Sequence, residues 1–157
     1  DLRRARRRVL EMLAALASYA DRVPVTLSWH EVELSRAGAP VGAIHCLDQQ
    51  RSMGEELSEW LALRTGLRYP VALGLDADQP GIFVAQSGEE GLEQLAAAHG
   101  WDLQRWSPRA GSYSIFTDAQ AQVVAVVGAD EVGLQRGLRA FRAFCSPRGH
   151  WLRSIGR

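Results

Sequence analysis

His30 and His45 each fall in a run that reads as a strand, and imidazole nitrogens ligate zinc when further ligands stand at the right spacing. Neither has a third ligand or a carboxylate so placed. Both read as structural histidines, and no metal is expected. Glu55, Glu56 and Glu59 offer carboxylates for acid–base work. They occupy i, i+1 and i+4 of an amphipathic segment, away from Leu57 and Leu61, which is the pattern of a solvated helix face. Asp76, Asp78 and Gly81 begin like a calcium loop, but the later acidic ligands are missing, which excludes calcium. Asp130-Glu131 is the only adjacent Asp-Glu pair, and it stands where a helix begins, as a cap. Cys46 and Cys145 read as two buried free thiols, with a bridge between them left open. No serine-nucleophile elbow and no phosphate-binding glycine loop is present. No catalytic residue and no cofactor is therefore expected in the chain itself.

Aromatic side chains give a different chemistry, since sugar rings stack on indole faces. Trp101, Trp106 and Tyr113 stand close together in the sequence, and Trp151 lies near its end. These four are the candidate sugar or interface contacts. For Trp101, Trp106 and Tyr113 the alternative role is to cap the core where a connector crosses the sheet edge. Arg3, Arg4, Arg6, Arg7 and Arg8 crowd the start of a helical stretch, where cations oppose the helix dipole. No interleaved aromatics or matching basic loops accompany them, so no nucleic acid or membrane is expected. A solvated face or a protein interface remains.

The elements that must position these residues follow from periodicity. Asp1 to Ala20 reads as a helix with Val9, Leu13, Leu16 and Ala20 in one stripe. Val23 to His30 is extended, Ala37-Gly38-Ala39-Pro40 is a turn, and Val41 to Leu47 is a second strand, giving an antiparallel pair. Asp48 to Leu63 is a helix that Gly66 ends, and Tyr69 to Leu75 is a strand. Ile82 to Ala85 is a short strand, and Gly91 to Ala98 a short helix with Leu92, Leu95 and His99 along one side. Tyr113, Ile115 and Thr117, then Val123 to Val127, make a β-hairpin. The last helix follows, N-capped by Asp130 and carrying Leu134, Leu138, Phe141 and Cys145 at helical spacing. Gly133 and Gly137 each cost that helix about 1 kcal/mol relative to alanine. Close approach of its backbone to a sheet would offset the cost.

The run Gly128-Ala129-Asp130-Glu131-Val132-Gly133-Leu134-Gln135-Arg136-Gly137-Leu138-Arg139-Ala140-Phe141 after a hairpin resembles the end of the small α/β domain that precedes the catalytic barrel in family 20 glycoside hydrolases, the β-N-acetylhexosaminidases. Similar domains precede α-glucuronidase and O-GlcNAcase-type barrels. Gly54-Glu55-Glu56-Leu57-Ser58-Glu59-Trp60-Leu61 and Thr65-Gly66-Leu67-Arg68-Tyr69-Pro70-Val71 resemble the family's first helix and its exit into a strand. The matches run from about Val41 to Phe144, and the family's Ile-x-Leu-Gly phrase is absent from Ile82 to Ala85. The resemblance implies an α+β fold like the second domain of the hexosaminidases, an antiparallel or mixed sheet with two or three helices packed on one face. Catalysis in that family resides in the barrel, on an Asp-Glu pair with no counterpart in context here.

Composition agrees with a globular chain. The 157 residues suffice for one domain and a core without disulfides, and the apolar runs are too short to span a bilayer. Net charge is zero, which removes any global field for nucleic acid. All 18 basic residues are arginine and asparagine is absent, the mark of a GC-rich, bacterial coding genome. The expected division is an arginine-rich helix over 1–22, an α/β accessory domain over 23–145, and a linker over 146–157 leading to further sequence. The expected function is to buttress a glycosidase barrel in the same parent protein, one acting on N-acetylhexosamine- or uronic-acid-containing glycans. That parent would be secreted or periplasmic. The alternative is a stand-alone assembly module that meets a protein partner through the Arg3 to Arg8 helix and Trp151.

Overall fold

A computed structural model describes residues 5–13, 27–106, 109–146 and 149–156. The chain divides into two compact units, His30–Arg153 and a smaller one made of Asp1–Trp29 with Ser154–Arg157. In the smaller unit residues 5–13 form helix α1, with Val9, Leu10, Met12 and Leu13 all more than half exposed. The rest of the expected N-terminal helix, with Arg3, Arg4, Leu16 and Ala20, lies outside the described residues, as do Val23 to Thr26.

The main unit is built on a mixed five-stranded sheet. Its strands are β4 (Ala43–Cys46), β5 (Val71–Leu73), β6 (Gly81–Gln86), β7 (Tyr113–Asp118) and β8 (Val123–Gly128), in the order β5-β4-β6-β8-β7. β5, β4, β6 and β8 run parallel, and β7 closes the edge antiparallel to β8 with Ile115 opposite Val126. All six residues of β8 and five of β6 are buried. Central parallel strands covered on both faces read as continuous apolar runs, and Val123 to Val127 is such a run.

Helix α2 (Arg51–Thr65) follows β4, and α5 (Glu131–Ala143) follows β8. Leu57 and Leu61 of α2 and Leu134, Leu138 and Phe141 of α5 meet Ile44, Ile82, Val84, Val124 and Val126 in one core. Two helices thus pack on this face, where two or three were expected, but the helices are not confined to it. The opposite face carries a second, smaller core. There α3 (Leu92–His99) and the single turn α4 (Leu103–Trp106) cover Phe83, Ala85, Val123, Ala125 and Val127.

Glycine sets the approach of both large helices. A β-carbon on Gly54 of α2 would lie 3.1 Å from Cys46 Sγ and 3.3 Å from Val71 Cγ1. One on Gly137 of α5 would lie 2.8 Å from Val126 Cγ1, and one on Gly133 would collide with the Ser112 carbonyl oxygen. Asp130 caps α5 by accepting from Gly133 N at 2.8 Å, and it accepts from Gly111 N at 2.9 Å. Those two bonds hold its carboxyl below the usual carboxylate range. Gly66 ends α2 in the left-handed conformation at φ 77°, donating to Ala62 O.

Two expectations are corrected. Val41 to Leu47 does not pair antiparallel with the preceding strand; β4 pairs parallel with both neighbours, because α2 carries the chain back over the sheet before β5. The antiparallel contact near it is only the hairpin of β2 (Ser35–Arg36) and β3 (Ala39–Pro40), turned at Ala37 and Gly38 with φ of 51° and 75°. The preceding strand, β1 (Leu27–Glu33), pairs instead with β9 (His150–Gly156), inside the stretch expected as a linker. An apolar anchor explains it: Trp151 is fully buried, stacks on Phe141 at 6.1 Å and donates from Nε1 to Phe141 O at 3.2 Å.

Candidate functional site

Parallel strands deliver their C-terminal ends to one edge, where open α/β sheets hold ligands. Beyond β6 the loop Ser87 to Gly91 turns around Glu89. Glu89 Oε1 accepts from Gln86 N at 2.8 Å, and Leu92 N donates to Glu89 O at 3.2 Å as α3 begins. Across from this loop stands α4. Between them lies an open cleft of about 600 Å³, with Glu89, Glu90 and Glu93 on one wall and Leu103, Gln104 and Trp106 on the other. That volume falls among small-molecule sites, about 300–1,000 Å³.

Burial pushes the Glu89 carboxyl up, against the opposing pull of Gln86 N and the Gln50 amide. Its Oε2 is buried with no hydrogen-bond partner among the described residues. Gln50, in the 3-10 turn Asp48–Gln50 after β4, is only 3 % exposed, and its Oε1 also lacks a donor. Two acceptor oxygens are therefore left without protons at the ends of adjacent strands, where each missing bond costs about 1–3 kcal/mol.

A second polar cluster closes the far end of α3. His99, with 6 % of its side chain exposed, holds Asp118 Oδ2 at 2.7 Å from Nδ1 and Ala77 O at 3.2 Å from Nε2. Both ring nitrogens face acceptors, an arrangement that only the doubly protonated ring satisfies in full. The bond from His99 holds the Asp118 carboxyl below its ordinary range. Trp101 stacks on His99 at 4.9 Å and on Phe116 at 5.5 Å, and donates from Nε1 to Thr117 O. This cluster ties helix to hairpin.

The aromatic candidates separate. Trp106 lines the cleft, and Trp101 packs into the core beneath it. Tyr113 is 37 % exposed but stands on the other face of the sheet, beside Gly137. Trp151 is fully buried, so it offers no surface to a sugar or a partner. His45 is buried, with Nε2 at 2.9 Å from Pro80 O and its ring on Phe83 at 4.4 Å. The His30 side chain lies outside the described residues. Glu55, Glu56 and Glu59 are exposed on α2. Cys46 and Cys145 are free and buried; desolvation raises both thiols, Cys145 to about 12. Among the described residues no three His, Cys, Asp or Glu side chains are grouped to hold a metal ion, and no helix is long and apolar enough to cross a membrane. Sequence reasoning missed Glu89, Gln50 and the His99–Asp118 pair.

No protein-family model and no curated protein matches the chain. Among solved structures it is similar to part of the GH20 β-N-acetylhexosaminidase from Streptomyces coelicolor A3(2), with 18% identity, a TM-score of 0.48, and coverage of 84% of this chain and 24% of that one. It is similar to part of the Streptomyces plicatus N-acetyl-β-hexosaminidase, solved in complex with Thio-NAglucal, at 18% identity, TM-score 0.46, and coverage of 84% and 23%. The chain spans about a quarter of the length of these enzymes.

Proposed function

We propose that this chain is a non-catalytic accessory domain of a carbohydrate-active enzyme, a glycoside hydrolase acting on N-acetylhexosamine- or uronic-acid-containing glycans, and that it buttresses a catalytic barrel of the same parent. One observation carries the reading. The two sequence runs that resemble the family are the two helices docked on one sheet face through glycine, α2 at Gly54 and α5 at Gly133 and Gly137. The resembling residues thus form the skeleton of the fold, which suits a packing role and not a chemical one. The test is the natural reading frame followed by assay of its product. The reading expects a (β/α)8 barrel, about 250 residues, with an Asp-Glu pair at a strand end, and activity on an aryl N-acetylhexosaminide or an aryl uronide. A frame without a barrel, or a barrel product inactive on both, overturns it.

A second reading rests on α1. Arg6, Arg7 and Arg8 are exposed there beside Val9, Leu10, Met12 and Leu13, a basic and apolar surface of the kind protein partners cover. Cross-linking that finds no partner on α1 in the natural host would remove this reading.

A further inference from the structure

We infer that α1 docks on α2 of a second copy of this chain, in a reciprocal dimer that sets a basic helix against an acidic one. The inference names the occupant of the exposed α1 surface and rests on the protein-partner reading of it; it does not depend on the glycosidase reading. Along α1 the exposed side chains run from cation to apolar, first Arg6, Arg7 and Arg8, then Val9, Leu10, Met12 and Leu13. Arg7 is paired within the helix, with Glu11 Oε1 at 3.0 Å. Arg6 and Arg8 form no ion pair among the described residues. Along α2 the order is anion to apolar. Glu55, Glu56 and Glu59 are exposed there, and Leu63 follows at 89 % exposure, more than any other large apolar side chain among the described residues. Neither Glu56 nor Glu59 has an ion pair among those residues.

The two stripes share one spacing. Residues three, four and seven apart lie on one helix face, which puts Arg6, Leu10 and Leu13 on one line of α1 and Glu56, Glu59 and Leu63 on one line of α2. Arg6 to Leu13 and Glu56 to Leu63 are equal steps along the chain, about 10 Å of helix each. Laid side by side in the same direction, the helices bring Arg6 against Glu56 while Leu10 and Leu13 cover Leu63. Exposed ion pairs alone contribute little; the apolar residues beside them supply the burial that holds the contact. Three facts select a second copy as the occupant. Pairing α1 with another α1 would set arginine against arginine, a like-charge contact that opposes association. The chain has zero net charge, so two copies approach without mutual repulsion. The contact joins two different surfaces of one chain, so a two-fold dimer forms it twice. The doubled contact suits the about 1,200–2,000 Å² that a stable interface buries, where one short helix pair does not.

Sedimentation equilibrium of the 157-residue chain tests it, run on the parent, on Arg6→Glu, on Glu56→Arg and on an equimolar mixture of the two variants. The parent should form a dimer, and a weaker one as NaCl is raised from about 0.05 to about 0.5 M. Each reversal turns attraction into repulsion at both contacts and should raise the dimer Kd about tenfold or more. The mixture should recover the parent's affinity. In it the reversed α1 meets the reversed α2, the two unaltered helices meet as in the parent, and both contacts again join opposite charges. Misfolding of an exposed-site variant could not produce that recovery. A parent that stays monomeric, a dimer indifferent to Glu56→Arg, or a mixture no tighter than either variant alone overturns the inference. A monomeric parent together with a cross-linked partner on α1 in the natural host would sink this inference and keep the protein-partner reading; both fall if that partner is missing as well.

Discussion

Gly133 of α5 sits against the backbone carbonyl of Ser112, so close that a β-carbon at this position would overlap the oxygen. The contact fixes the helix on the loop that opens β7, and the neighbouring Asp130 closes it by bonding Gly133 N and Gly111 N on either side. Helix propensity and packing therefore pull in opposite directions here.

Gly133→Ala tests which wins. Propensity favours alanine by about 1 kcal/mol, while forcing an extra carbon against rigid backbone costs about 1–3 kcal/mol or more. We expect a net loss of about 2 kcal/mol in urea unfolding. Gly137→Ala should cost less, since its closest obstacle is the Val126 side chain at 2.8 Å, which can shift. A Gly133→Ala protein as stable as the parent would show that the close approach is unimportant.

Asp118 gives a pH dependence with a definite sign. The bond from His99 depresses its folded-state pKa below the ordinary 3.8, with help from Ala121 N at 3.2 Å. A depressed carboxylate adds stability above the unfolded pKa and loses it as pH falls through the folded one. Asp118→Asn should therefore cost about 1–2 kcal/mol near neutral pH, the Asp118 side chain being partly exposed, and the difference should close as pH drops below 3.8. Thermal melts across that range check it. A constant gap at all pH values would show that the substitution acts through packing.

Glu89 behaves in the opposite sense. Burial raises its pKa above the ordinary 4.5, so the folded state is penalised once pH rises from 4.5 through the raised value. Glu89→Gln removes the charge and keeps an acceptor for Gln86 N. The variant should be more stable than the parent at neutral pH by about 1 kcal/mol, with no gain well below pH 4.5. A variant less stable than the parent at neutral pH would mean that Glu89 is held ionised by groups other than those described.

The parts of this fold that were legible in the sequence are those with local signals. Val123 to Val127 announces a buried strand, Asp130 a cap, and Gly133 and Gly137 a tight helix, each within a few residues of what it contacts. The partners of β4 were not legible, because parallel pairing is decided by where α2 returns the chain. His99 and Asp118 lie 19 residues apart, and neither bears a mark of the other. The cleft was half legible: Trp106 drew attention as an aromatic, but Glu89 and Gln50 become notable only when two strand ends leave their oxygens without donors. Trp151 misled for a related reason, since a tryptophan in a polar terminal stretch looks like a surface residue until its neighbours are known.

Trp151 supplies the decisive test of whether β9 belongs to the domain. Its ring is fully buried, lies nearly parallel to Phe141 and meets Phe144 edge-on at 6.3 Å, and its Nε1 bonds the Phe141 carbonyl near the end of α5. Replacing a buried tryptophan by alanine costs about 3–5 kcal/mol, a large share of the about 5–15 kcal/mol that a domain commands. Trp151→Phe keeps most of the apolar volume and loses the hydrogen bond, so it should cost about 1 kcal/mol plus a small packing term. Trp101→Ala, at a partly exposed site on the other face, should fall between them. Equilibrium urea unfolding of the three variants gives this order if Trp151 anchors the last strand to the core. An alanine variant that loses less than the phenylalanine one is expected to lose would instead make 146–157 the linker that its polar sequence suggests.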